Sequence, residues 1–198
     1  MSGIEIGLLL RSGTTGFVVG CKISQLSAPS FGALVRVPLE AGYQVYGLIY
    51  DIHIDDDGLV RQLVTAPEIS AQVIQDNREN RIVPVEIGVL TLGYEEKGQI
   101  AHLLPPRPPL SLDRIYLCTD EEVARFTGAG RLGYLRHILR DPSKPVDELL
   151  AAHLKQARVA HAAVGDAGWF DSAVQTLITL LRDDPQRLMQ ALDAASEL

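Results

Sequence analysis

The sequence predicts an α+β protein, with a small antiparallel β-barrel over residues 1–118 followed by an α-helical region over residues 119–198. Three observations point there. Through residue 118, short apolar runs rich in Val, Ile, Tyr and Gly recur between turn signals, as the half-buried strands of a barrel or sandwich require. From residue 119 onward Ala, Leu, Arg and Asp replace Gly and Val, and the apolar period lengthens from about 2 toward about 3.6. Between the halves, Leu104-Pro105-Pro106-Arg107-Pro108-Pro109 cannot donate ladder hydrogen bonds and favours polyproline II, so it reads as a stiff strap leaving the barrel.

Taken in order, the strands are expected at residues 4–11, 16–23, 33–37, 44–54, 59–65, 82–92, 99–103 and 114–118. Gly13-Thr14-Thr15-Gly16 links the first two. Asp55-Asp56-Asp57-Gly58 stands between the runs 45–54 and 59–64, and Asp-Gly supplies the positive φ angles of a tight hairpin turn. Closure of the strands into a barrel plugged by side chains would leave no free edge. Thr119 with Glu122 forms a capping box that predicts a helix over residues 120–126. Gly128, Gly130 and Gly133 make residues 126–133 read as a flexible loop. After the breaks at Pro142 and Pro145, Leu149, Leu150, His153, Leu154, Ala157 and His161 share one stripe of a helix over residues 146–162. A last helical pair follows, residues 169–182 and a helix opened by the N-cap Asp184 and the N1 Pro185. The apolar stripe of Trp169, Phe170, Leu177, Leu180 and Leu181 is expected to pack within the chain.

The composition narrows the function. The 198 residues are 46% hydrophobic and 22% charged, which excludes wholesale disorder, and a net charge of −7 argues against coating nucleic acid with the whole surface. No apolar run reaches the roughly 18 residues of a membrane span and no basic leader opens the chain, so a cytoplasmic protein without a membrane partner is expected. Cys21 and Cys118 sit in apolar strand-like sequence and read as buried thiols of a reducing compartment. No Gly-Lys pair supports a P-loop, and Gly128, Gly130 and Gly133 lack the βαβ context of a dinucleotide fingerprint, so no cofactor is expected. His53, His102, His137, His153 and His161 form no metal-binding spacing, and His153 and His161 stand about 12 Å apart along a helix, too far to share an ion. Asp51, Asp55, Asp56 and Asp57 lack the order of a calcium loop. Arg125, Arg131, Arg136, Arg140, Lys144, Lys155 and Arg158 leave a basic segment in an acidic chain. Of these, Arg131, Arg136 and Arg140 are the candidate contacts to a partner or a phosphate.

The order of features resembles the HAS barrel, the domain shared by HerA-type DNA translocases and rotary ATP synthase subunits. The residues that carry it are Ile6-Gly7-Leu8-Leu9 with Gly16-Phe17-Val18-Val19, then the run from Gly42 through Tyr46-Gly47-Leu48 to Ile52. Val85-Glu86-Ile87-Gly88-Val89-Leu90, the proline strap, and Ile115-Tyr116-Leu117 followed by Thr119-Asp120-Glu121-Glu122 continue it to about residue 155. The motifs are glycine and apolar patterns whose order matters more than any one of them. Where that family places its Walker A motif, this chain has Val164-Gly165-Asp166-Ala167-Gly168-Trp169. The resemblance therefore implies a barrel collar without a motor and without catalytic residues.

The expected function is a non-enzymatic interaction or assembly module, an adaptor for a HerA-like ATPase or its nuclease in DNA processing, which itself can oligomerise. Two alternatives belong to other classes. One is an enzyme using His53 or His102 at the barrel mouth, for which a deep pocket joining either ring to a carboxylate would speak. The other is direct nucleic-acid binding through residues 125–158, which would weaken steeply with salt.

Overall fold

A computed structural model describes residues 3–23, 29–54, 65, 70–72, 75 and 83–196. Its strands are β1 (Glu5–Ser12), β2 (Gly16–Ile23), β3 (Leu34–Pro38), β4 (Tyr43–Ile54), β5 (Val83–Glu96), β6 (Gln99–Ala101) and β7 (Arg114–Leu117). All pairings are antiparallel, in the order β2-β1-β7-β3-β4-β5, and β2 pairs with β5 to close six strands into a barrel. The short β6 extends the far end of β5 as a hairpin. Around this ring β1 stands across from β4.

Strand alternation explains two separate cores. Inward residues, among them Leu9, Phe17, Val19, Val35, Val45, Ile49, Ile87, Val89 and Ile115, fill the barrel. Gly47 is required there, because a Cβ would strike Val89 Cγ1 and stand 3.1 Å from the Phe17 ring. The outward residues Leu34, Tyr46, Leu48, Leu90 and Leu92 build a second core with the helices. Those helices are α1 (Asp120–Gly128), α2 (Leu135–Leu139), α3 (Val146–Ala163), α4 (Trp169–Leu180) and α5 (Pro185–Ser196). The predicted stripe of α3 is buried through Leu149, Leu150, Leu154 and Ala157, while Trp169, Leu177 and Leu181 pack within the chain and Leu180 stays exposed.

The caps are formed as the sequence requires. Thr119 Oγ1 accepts the Glu122 amide at 3.4 Å and Glu122 Oε2 accepts the Thr119 amide at 3.0 Å. Asp184 Oδ1 accepts the Arg187 amide at 3.1 Å ahead of α5. Both cysteines are free thiols, and burial pushes the pKa of each up. Among the described residues no helix is long and apolar enough to cross a membrane.

Two expectations are corrected. Residues 126–133 are not a flexible loop: Phe126 and Thr127 are buried in the last turn of α1, and Leu132 is buried in a 3-10 turn, Gly130–Leu132. Tertiary packing overrides the glycines here. Gly130 adopts φ +55° beneath His102, where a Cβ would stand 2.8 Å from the ring nitrogen Nδ1. The proline strap does not leave the barrel. It stays against the strand ends, where Ser12 Oγ donates to the Pro109 carbonyl, and returns as β7 between β1 and β3. The predicted turn at residues 55–58 and the strand over residues 59–65 lie outside the described residues, except Thr65, which is in a turn.

Candidate functional site

The basic segment is divided among separate tasks. Arg131 is exposed in the left-handed region at φ +51° on the 3-10 turn. Arg136 donates from Nη2 to the His102 carbonyl. Arg140 follows α2 and lines a cleft. Arg125 joins Glu95 at 2.7 Å, in a network where Glu95 also accepts from Gln44 at 2.6 Å and from the Tyr46 hydroxyl at 2.8 Å. Burial alone would raise the Glu95 pKa, but these donors outweigh it and hold the carboxyl below its ordinary range. Arg158 lies over the Phe170 ring, so little of the predicted patch presents one basic face.

His102, His137 and His153 form a seam where the helices meet the barrel half of the chain, and His161 extends it among the helices. His102 Nε2–H donates to the Phe126 carbonyl at 2.9 Å, and its own carbonyl accepts His137 Nε2 at 3.2 Å. His153 donates from Nδ1 to the Gly32 carbonyl at 3.4 Å and accepts the Tyr134 hydroxyl at 3.1 Å. His161 donates from Nδ1 to Asp166 at 3.0 Å and stacks on Trp169 with ring centroids 4.4 Å apart. Burial lowers the pKa of all four rings, that of His153 to about 4. His53 is exposed near the end of β4. One cleft lies beside α2; neither His53 nor His102 lines it, and among the described residues no carboxylate bonds His102.

That cleft, about 530 Å³, opens between the β1–β2 turn, the middle of β5 and the end of α2. Thr15 and Gly16 form one side, His137, Arg140, Asp141 and Lys144 the other. Lys144 pairs with Asp141 at 2.9 Å and sits 4.1 Å above the Tyr50 ring. Hydrogen bonds from Ser143 and the Lys144 ammonium lower the Asp141 pKa to about 2, so that carboxylate is ionised at neutral pH.

No family model and no curated protein matches this sequence. What speaks for function is thus the chain's own geometry. Among the described residues no three His, Cys, Asp or Glu side chains gather to hold a metal ion.

A second feature lies on the barrel wall across from α1–α5. Leu8 and Leu10 point outward from β1, and Leu10 is seated over Gly20 of β2. Beside them the turn of residues 110–113 is closed by the Leu110 amide donating to Asp113 Oδ2 at 2.7 Å. It is tied to β1 by Leu112 N–H donating to the Leu9 carbonyl at 2.8 Å. Leu110 is 71% and Leu112 72% exposed. Leu112 holds φ +72°, a conformation costing a side-chain-bearing residue about 1 kcal/mol. Neither feature was found from the sequence: alternation marks Leu8 and Leu10 as outward, but which wall the helices cover is set by the strand order.

Proposed function

We propose that the protein is a non-catalytic assembly module that docks onto protein surfaces through the barrel wall that α1–α5 leave uncovered. The observation that carries this reading is the group of exposed leucines, Leu8, Leu10, Leu110 and Leu112, gathered on β1 and the adjoining turn. An apolar group of this kind on a water-facing wall is characteristic of interaction sites. The strained Leu112 adds weight, since the backbone bears a cost at a residue whose side chain contacts solvent. A filled barrel interior fits a scaffold better than a ligand-holding barrel.

The docking partner in this reading is a second copy of the chain. By the resemblance to HAS barrels, a HerA-like ATPase or its nuclease is the further partner, in the cytoplasm, with nucleic acid reached through that partner. The test is the solution mass by light scattering over a concentration series. The wild-type chain is expected at a multiple of its 21.6 kDa, and Leu112→Gly, which relieves the backbone strain while removing the side chain, at the monomer mass. A wild-type monomer at every concentration overturns the reading.

A further inference from the structure

Of the four buried histidines, His161 alone has a place for a second ring proton among the described residues. The last turn of α3 closes as a Schellman motif: the Gly165 amide donates to the Ala162 carbonyl at 3.1 Å and the Asp166 amide to the His161 carbonyl at 2.9 Å. Gly165 holds φ +88°, the left-handed conformation this closure needs. The motif sets Asp166 beside His161, where an apolar pair commonly stands, and Nδ1–H donates to the carboxylate at 3.0 Å. With that proton on Nδ1, Nε2 of the neutral ring is an acceptor, 2.7 Å from the Thr127 hydroxyl. Thr127 has one hydroxyl proton and two acceptors in reach, His161 Nε2 and the Val123 carbonyl at 2.8 Å. A ring protonated on both nitrogens is therefore accommodated without moving a heavy atom. Nε2–H then donates to Thr127 Oγ1, and the hydroxyl turns to Val123.

The other three rings lack this provision. His102 Nδ1 has no hydrogen-bond partner among the described residues and faces Gly130, so a proton there would be a buried, unsatisfied donor. The partner of His153 Nε2 is the Tyr134 hydroxyl, whose own proton would lose its acceptor. His137 stands between Arg136 and Arg140, whose charges oppose a third. Around His161 the groups differ. Thr127 and Gly128 face it from α1, Trp169 stacks on it from α4, and Asp166 is the one charged group among the described residues that acts on it. Burial opposes the charged ring, and this carboxylate offsets it in part. The last turn of a helix also favours a cation. The Asp166 side chain is 56% exposed, so protons reach the pair from solvent although the ring is 3% exposed. We propose that His161 is a proton switch of the folded chain: it takes up a proton between Asp166 and Thr127, the Thr127 hydroxyl turns from the ring to the Val123 carbonyl, and Trp169 comes to stack on a cation. The switch ties α1, α3 and the start of α4 at one point, and it stands whether or not the leucine wall pairs two copies.

The test is a ring-¹⁵N NMR titration of the full chain from about pH 8 to about pH 5, spanning the ordinary histidine range, with circular dichroism marking where the fold is intact. Tryptophan fluorescence is read in parallel. Of the four buried rings, His161 should be the first to become an imidazolium, and the fluorescence of the single Trp169 should change with the same midpoint. His161→Gln should leave that fluorescence flat while the chain is folded. Asp166→Asn removes the anion and should lower the His161 midpoint by about one pH unit. Asp166 is exposed, so this variant reads the ring with the core untouched. Thr127→Val removes the acceptor of Nε2–H at nearly constant shape and should lower the midpoint as well. The proposal is overturned if His161 gains its proton only as the chain unfolds, or if another buried ring is protonated before it. It is equally overturned if Asp166→Asn and Thr127→Val, both folded by circular dichroism, leave the midpoint unchanged.

Discussion

Acid should unfold this protein through its histidine seam, and His153 sets the scale. Folded, His153 titrates near 4, because burial removes its charged form from water and only the Gly32 carbonyl favours protonation. Unfolded, it titrates at an ordinary value of about 6.5. The unfolded chain therefore binds the extra proton first, and stability falls with pH between those two values. Above the unfolded value the contribution is fully present; it fades as pH drops through the folded one. The separation corresponds to about 3 kcal/mol in total, of which about 2 kcal/mol is lost between about pH 7 and about pH 5. His102, His137 and His161 shift in the same direction and steepen the loss. Urea unfolding followed by far-ultraviolet circular dichroism at the two pH values measures it. Fluorescence is the poorer probe, since the single Trp169 stacks on His161 and would report that ring's protonation as well. His153→Gln should be less stable than wild type at neutral pH, yet lose about 2 kcal/mol less on acidification. Equal pH slopes for wild type and variant would mean that His153 does not set the acid sensitivity.

Two further changes probe the framework. Gly47→Ala places a methyl group against Val89 and Phe17 inside the barrel and should destabilise by about 1–3 kcal/mol, read by urea unfolding. Thr119→Ala removes the hydroxyl that caps α1 and should cost about 1 kcal/mol, a fall of about 3 °C in Tm by calorimetry, with the barrel intact.

The strands were legible because one wall of each faces a packed interior, which enforces alternation, and because the turns carry their own residues. Thr119 with Glu122 and Asp184 with Pro185 marked the starts of α1 and α5 for the same local reason. Residues 126–133 were misread because Gly130 signals freedom in isolation, whereas here its missing Cβ admits the His102 ring. The path of the strap was hidden too, since β7 is placed by its partners β1 and β3, distant in sequence. The candidate sites were less legible still. Arg140 stood out by charge, but Thr91, Thr15 and Tyr50 join it only through the barrel's closure and the docking of α2. The histidines drew attention as chemistry and serve instead as buried donors and acceptors along the seam.

Light scattering on wild type and Leu112→Gly asks whether the wall bearing Leu8, Leu10, Leu110 and Leu112 holds two copies of the chain together. A mass that is a multiple of 21.6 kDa for the wild type, falling to the monomer in a variant at least as stable, is the predicted result. A wild-type monomer throughout the concentration series, or an assembly that Leu112→Gly leaves unchanged, would contradict it.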